Sequence, residues 1–417
     1  MRDSSADSFA RGADMKKTAF VAPWFGEDIA GGAEAELREL TAHLHSAGMP
    51  LEILTTCVRD FTSDWSRNFH APGASKTSGG ITVRRFRARR RDSAAFDRVN
   101  IKLMRGLPLS RSDEETFLHE MVGSPELCRF IDRHRDDYAL FVYIPYMFGT
   151  TYYGAKVCPE KSVLIPCLHD EPYARLTPFR ELFPKTAGMI FNAAPEAELA
   201  EELYGLSESG AKTIVMGIGM DTGITASAED FRRKFSIEEP FIVYAGRKDE
   251  GKNVGTLIRY YSEYIRRNET PLRLVLIGGG NIALPEELVS SGRITDLGFV
   301  EKQDKYNAMA AAEMLCQPSL NESFSLVIME SWLCGRPVLV HEGCPVTRNF
   351  VSEANGGLYF NGYFEFEGCV DYILSHKDTA CAMGANGGKY VREHFDWEVI
   401  VKKYRKYFDE VIGEMRH

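Results

Sequence analysis

The sequence lacks any uninterrupted apolar run of about 18 residues, the length a membrane-spanning helix needs, so no crossing segment is expected. It also lacks a surplus of positive charge. Lys and Arg number 50 against 59 Asp and Glu, a formal charge of −9. That excludes a generally basic nucleic-acid coat while leaving room for local basic patches. Paired cysteines are missing too. Cys57, Cys128, Cys158, Cys167, Cys316, Cys334, Cys344, Cys369 and Cys381 are scattered, and no two stand as C-x-x-C. Buried free thiols in a reducing compartment fit this usage, whereas a zinc or redox centre lacks its spacing. Residues 1–15 carry no apolar core of the kind a secretory signal has. They are expected to form a disordered leader, with Met15 a candidate natural start.

What is present is ordinary globular material: 417 residues, 44% hydrophobic and 26% charged. This length suggests two large domains. The apolar run Thr18 to Pro23 precedes the Gly-rich loop Asp28 to Glu34. A helical pattern with Leu37, Leu40 and Leu44 on one face follows, then the apolar run Leu51 to Thr55. Strand, glycine loop, helix and strand make a βαβ unit and imply a parallel sheet. Further strands are expected at Leu140 to Ile144, Ser162 to Leu168, Met189 to Phe191 and Thr213 to Met216. The same grammar restarts with strands Phe241 to Ala245 and Leu272 to Ile277. Short strands follow at Met314 to Gln317 and Pro337 to Val340, with a helix around Leu326 to Leu333 between them. The expected division is an N-terminal domain over 16–225, a C-terminal domain over 226–395 and a closing helix over 396–417. Open parallel sheets take ligands at the carboxyl ends of their strands, so two facing sheets would form a cleft.

Two constellations carry chemistry. Gly246-Arg247-Lys248-Asp249-Glu250-Gly251-Lys252-Asn253 follows a strand directly. Glycine lets a ligand approach the backbone, and Arg247 and Lys252 set two cations beside a coming helix N-terminus, itself an anion site. By chemistry this is a diphosphate loop; a solvated turn with incidental charges is the alternative. The second constellation is Glu322-Ser323-Phe324-Ser325-Leu326-Val327-Ile328-Met329-Glu330. Glu322 is expected in the loop before a helix and Glu330 within it. A carboxylate accepts two hydroxyl hydrogen bonds at once, so the pair suits a sugar ring and a ribose. A helix with one capping and one exposed acid would look the same.

Taken together these motifs resemble the retaining family 4 glycosyltransferases. The resemblance runs from about Lys16 to Trp397. It includes Gly31-Gly32-Ala33-Glu34, Pro166-Cys167-Leu168-His169-Asp170, Ile277-Gly278-Gly279-Gly280, Leu297-Gly298-Phe299-Val300, Pro318-Ser319 and Gly335-Arg336-Pro337-Val338. It implies an α/β protein of the GT-B type, two Rossmann-like parallel-sheet domains facing across a cleft. It implies an enzyme moving a hexosyl group from a UDP-, GDP- or ADP-linked donor to a glycan or lipid-linked acceptor, in polysaccharide or lipopolysaccharide synthesis. Arg247 and Lys252 would hold the donor diphosphate and stabilise the charge gathering on it. Glu330 would bind the ribose and Glu322 the donor sugar. Backbone around Ser323, Phe324, Ser325 and Leu326 would lie close to sugar and phosphate, and Gly298 and Phe299 would flank the base. Gly246 belongs to the diphosphate turn. Gly31 and Gly32 would let the N-terminal loop approach donor and acceptor. His169 would hydrogen-bond the donor sugar, making it catalytic with Arg247, Lys252 and Glu322. Asp170 and Glu171 are acceptor-side candidates. No D-x-D is present, so neither a metal nor a cofactor is expected, with Arg247 and Lys252 supplying the charge.

Two other classes remain readable. Gly278-Gly279-Gly280-Asn281-Ile282-Ala283 fits G-x-G-x-x-A, with Asp296 beyond it, which permits a dinucleotide-dependent oxidoreductase, though Pro285 interrupts the following helix. A non-catalytic nucleotide-sugar binder would share every binding motif. The basic stretch Arg84 to Arg105, with Ile101, Met104 and Leu107 among its cations, suits an anionic membrane surface or a lipid-diphosphate acceptor; a solvated strand edge and an ordinary loop is the alternative. A cytoplasmic protein peripheral at the inner face of the cell membrane is the expected location. Nucleic acid is not an expected partner, since aromatic interleaving is thin.

Overall fold

The computed structural model describes residues 16–29 and 31–415, so the expected disordered leader lies outside the described residues. Two sheets carry them. The first contains β1 Lys17–Val21, β2 Leu51–Thr56, β3 Gly73–Lys76, β4 Thr82–Phe86, β5 Tyr138–Tyr143, β6 Ser162–Leu164, β7 Gly188–Phe191 and β8 Lys212–Val215. Its order is β3-β4-β2-β1-β5-β6-β7-β8, parallel except for the β3–β4 hairpin. The second contains β9 Phe241–Ala245, β10 Arg273–Ile277, β11 Ile294–Gly298, β12 Met314–Gln317, β13 Val338–His341 and β14 Gly357–Phe360. It is parallel throughout, in the order β11-β10-β9-β12-β13-β14. The strand order reverses between β9 and β12. Both strands end at the motifs singled out above, where such folds place ligands.

The central strands are near-continuous apolar runs because helices cover both faces. Phe241 to Ala245 are essentially inaccessible. The edge strands carry no such run. β3 is exposed along its whole length, β11 and β14 are half-exposed, and β4 carries Arg84 and Arg85. β3, β11 and β14 are missing from the sequence expectation for that reason, and β4 entered it only as an alternative. The strand expected to reach Leu168 stops at Leu164, because Pro166 has no N–H to donate and Cys167 sits at φ 53°.

The basic stretch begins as the strand-edge alternative has it, entering the sheet as β4, and is largely spent internally. Arg84 pairs with the buried Glu52 at 2.8 Å, Arg85 donates to the Phe25 carbonyl, and Arg89 pairs with Glu120 at 3.2 Å. Arg91 lies over Trp65 and Phe96. Arg90, Arg98 and Arg105 remain exposed beside the half-exposed Ile101, Met104 and Leu107 of the helix Ser93–Met104 and the loop after it.

The chain leaves the second sheet through the helix Lys377–His394 and returns to the first domain as Trp397–Glu414. Met220 and Asp396 form a parallel bridge, and Thr222 bonds Asp396. Trp397 stacks on His43 of the helix Gly32–Ser46, ring centroids 4.0 Å apart. Tyr407 donates to the Lys212 carbonyl, and Lys212 pairs with Glu414. A Cβ at Gly219 would come 2.2 Å from the Trp397 ring. One apolar cluster, including Phe20, Leu40, Val243, Trp332 and Tyr404, runs through both domains.

Candidate functional site

The carboxyl ends of β9 and β12 face the start of the helix Gly32–Ser46 across a cavity of about 150 Å³. From the first domain come Gly32 and Glu36, with Ile218 from the connection. From the second come Gly246, Lys252, Gln317, Glu322 and the run Ser323 to Val327. Sequence-expected residues from both domains therefore meet in one place.

The loop after β9 is built around backbone crowding. Gly246 follows β9 at φ 153°, and Gly278 packs against it so closely that a Cβ there would lie 2.1 Å from the Gly246 carbonyl oxygen. The Tyr244 hydroxyl donates to the Arg247 carbonyl at 2.6 Å. Lys252 and Asn253 lead into the helix Val254–Arg267, with Asn253 left-handed and donating its amide to the Pro318 carbonyl. Arg247 is exposed and paired with Asp249 at 2.6 Å. Lys252 reaches Glu322 at 2.7 Å, so the cation from one constellation is held by the acid from the other. Lys248, which sequence reasoning left without a role, is 3% exposed and pairs with Asp296.

Glu322 sits in the loop before the helix Leu326–Leu333, and Glu330 within the helix. Ser325 precedes that helix at φ 75° without a side-chain cap, so the first helical amides open toward the cavity, the arrangement that binds anions. The Phe324 ring turns away, edge-on to Phe350 and Phe395 in the core, so only its backbone is offered to a ligand. Glu330 accepts from Lys305 at 2.6 Å through Oε1, while its buried Oε2 has no partner among the described residues. Gly298 is left-handed at φ 62°, and Phe299 beside it is 86% exposed, a free aromatic face.

Other expected residues stand outside the cavity wall. His169 faces Glu171 at 3.9 Å, and Glu171 accepts from Tyr146 at 2.9 Å. Asp170 pairs with Arg175 at 2.6 Å. Gly31 sits at φ 144°, where a side chain would be strained and its Cβ would lie 2.0 Å from the Glu34 carboxylate. Among the described residues β10 is followed by no helix until the five-residue turn Glu286–Ser290, and Asp296 is occupied by Lys248. The G-x-G-x-x-A match therefore lacks the long helix a dinucleotide site needs.

The first domain contributes something the motifs did not announce. Glu36 is 3% exposed, and its Oε2 accepts from the Asn192 amide at 3.1 Å and from the Cys167 thiol at 3.6 Å. Its Oε1 has no partner among the described residues. Burial pushes its carboxyl up to about 7, tempered by those two donors. Glu196 lies nearby, also raised by burial, but it accepts 2.6 Å bonds from the Leu168 and Asn192 amides. Burial still pushes the Glu196 carboxyl up to about 8, so both acids hold their protons more tightly than exposed carboxyls do. The signal was available, since Glu36 stands four residues before Leu40 on the buried face of its helix.

Parts of the chain resemble known proteins. The family described as "Glycosyl transferases group 1" matches residues 239–364. A D-inositol 3-phosphate glycosyltransferase of Rhodococcus erythropolis is 24% identical over 257 residues, 57% of each chain. A Campylobacter jejuni N-acetylgalactosamine-N,N'-diacetylbacillosaminyl-diphospho-undecaprenol 4-alpha-N-acetylgalactosaminyltransferase is 29% identical over 182 residues, 42% of this chain and 47% of that one. The chain thus spans about half the length of the curated relatives it matches. Among solved structures, Thermosynechococcus elongatus sucrose-phosphate synthase superposes with a TM-score of 0.68 at 17% identity, covering 96% of this chain and all of that one. Anabaena HepE, solved with UDP and glucose, gives 0.64 at 15% identity, covering 95% and 100%.

Proposed function

Starting from a GT-B protein of the group 1 glycosyltransferase type, we propose that it is a retaining, metal-independent hexosyltransferase. It takes a nucleoside-diphosphate sugar as donor and a glycan or lipid-linked sugar as acceptor, in the synthesis of a cell-surface polysaccharide or lipopolysaccharide. One observation carries this reading. Lys252, Glu322 and an uncapped helix N-terminus from one domain close a single small cavity against Gly32 of the other. Cation and helix amides suit a diphosphate, and carboxylates suit hydroxyls.

On this reading the bond from the anomeric carbon to the diphosphate oxygen breaks while the acceptor oxygen bonds to the same face of that carbon. The acceptor's proton passes to the departing diphosphate. Arg247, Lys252 and the amides around Leu326 stabilise the charge that collects there, the largest contribution such sites make. Glu330, with one oxygen fixed by Lys305 and the other free, accepts from a ribose hydroxyl. Phe299 and Gly298 lie beside the base.

The donor base is read by melting the protein with UDP-, GDP- and ADP-sugars, since a ligand that binds only the folded state stabilises it by mass action. Anomer analysis of the product tests retention; an inverted product overturns it. The UDP and glucose in the HepE structure and the diphospho-undecaprenol in the name of the Campylobacter jejuni relative support a nucleotide sugar and a lipid-linked acceptor. Among the described residues no helix is long and apolar enough to cross a membrane. Contact with an anionic inner leaflet would rest on Arg90, Arg98 and Arg105 beside Ile101, Met104 and Leu107. Co-sedimentation with anionic liposomes at low salt is the expected result, and failure to sediment removes that partner.

A further inference from the structure

The cavity wall carries two side-chain oxygens that are buried and unused, one from each domain. Glu36 Oε1, from the helix Gly32–Ser46, has no partner among the described residues. Gln317 Oε1, at the end of β12, has none either. The amide orientation of Gln317 is fixed by its neighbours. Its nitrogen faces acceptors, Glu322 Oε1 at 3.2 Å and Ser325 Oγ at 3.5 Å, so the oxygen is the atom left over. Both residues are more than nine-tenths buried. A buried polar atom without a partner costs free energy, typically about 1–3 kcal/mol, and native proteins tolerate it mainly where a ligand or water completes the set.

We infer that Glu36 and Gln317 form an inter-domain pair whose free oxygens hydrogen-bond hydroxyls of the transferred sugar, so that the sugar itself bridges the two domains. The inference rests on the transferase reading and assigns to that site two specificity residues. The chemistry that satisfies both oxygens is a neutral ring bearing hydroxyls on opposite sides. A hydroxyl can donate to Gln317, and it can donate to or accept from Glu36 according to the proton there. An apolar or carboxylated group offers neither match. The cavity volume corresponds to a few water molecules, the scale of one sugar ring. The other wall elements support the placement. Glu322 links Gln317 to the loop after β9, accepting from Gln317 at 3.2 Å and from Lys252 at 2.7 Å.

The two side chains also differ in how they are held, which makes the assignment testable from each side of the cleft separately. Glu36 is steadied by Asn192 and Cys167 of the first domain, and Gln317 by Glu322 and Ser325 of the second. A purely structural role for either residue would alter folding or all ligand binding together. A sugar-reading role alters only the part of the affinity that the sugar supplies.

The experiment compares affinities for UDP and UDP-glucose, GDP and GDP-mannose, and ADP and ADP-glucose, by calorimetry on the full chain. Wild type, Glu36→Met, Glu36→Gln and Gln317→Met are measured, and apo melting checks that each variant folds. Using the pair that wild type binds, both Met variants should lose about tenfold of the affinity for the sugar nucleotide while the nucleoside diphosphate alone stays within about twofold. Glu36→Gln should recover most of the loss. The inference is overturned if both affinities fall together, or if the ratio between them is unchanged in both Met variants. If wild type binds none of the three nucleoside diphosphates, the transferase reading itself has failed, a different result from a nucleotide that binds with an unaltered sugar contribution.

Discussion

The two walls of the cleft solve the problem of buried charge in opposite ways. On the C-terminal side each acid has a cation: Glu322 with Lys252, Glu330 with Lys305 and Asp296 with Lys248, all within 2.7 Å. On the N-terminal side Glu36 and Glu196 are buried together with no cation among their principal perturbing neighbours, only Asn192, backbone amides and the Cys167 thiol. The first wall is a set of compensated pairs that an incoming diphosphate can reorganise. The second stores an acid that keeps its proton near neutrality. On the proposed reading, the difference assigns the substrate parts: anion and ribose against the pairs, neutral hydroxyls against the acid.

The largest expected effect comes from breaking a pair on the C-terminal wall. Lys252→Ala removes the diphosphate cation and leaves Glu322 uncompensated. Turnover should fall by roughly 100- to 1,000-fold. Arg247→Ala should act in the same direction, and near wild-type transfer in steady-state assays would remove the diphosphate assignment. Next is the backbone beneath that wall. Gly278→Ala places a Cβ against the Gly246 carbonyl at a φ of 121°, which should destabilise the protein by about 2–4 kcal/mol in denaturant titration. An unchanged midpoint would show that the loop yields freely.

The N-terminal wall is sharpened by pH. The Glu36 carboxyl titrates at 4.5 in an ordinary setting and at about 7 when folded. Between those values the folded state binds more protons than the unfolded one, so stability falls as pH rises through that window and is level outside it. Glu196, Cys167 and Tyr404 face the same space, and the Glu36 charge helps to raise each of them, so Glu36→Gln removes that contribution as well. Glu36→Gln should therefore match wild type near pH 4.5 and exceed it by about 1–3 kcal/mol at pH 8. A pH-independent difference would contradict the stored proton. The smallest expected effect is none: excess chelator should leave transfer unchanged, and a loss reversed by added metal would show that the lysines and arginine do not suffice.

Much of the C-terminal wall was readable in the sequence because its chemistry is local. Gly246 to Asn253 and Glu322 to Glu330 are contiguous stretches, and a parallel β–α unit places each at a strand end whatever the rest of the chain does. Central strands were readable as unbroken apolar runs. Edge strands β3, β4, β11 and β14 were not, because half-exposed strands carry mixed residues. That is also why Arg84 to Arg91 read equally as a surface patch and as a strand edge. Glu36, Asn192 and Cys167 come from three separate segments that only the assembled sheet brings together, and Gln317 is unremarkable until its amide is seen fixed by Glu322. His169 shows the reverse case: its motif is legible, yet its side chain faces Glu171 rather than the cavity wall.

The central claim is that the two walls form one nucleotide-sugar site. Thermal melting of wild type and Lys252→Ala across UDP-, GDP- and ADP-sugars tests it most directly. At 100 times the dissociation constant one ligand should stabilise wild type by about 2.7 kcal/mol, with most of that gain lost in Lys252→Ala. A wild-type melting curve unmoved by every sugar nucleotide, or moved equally in the variant, would contradict it.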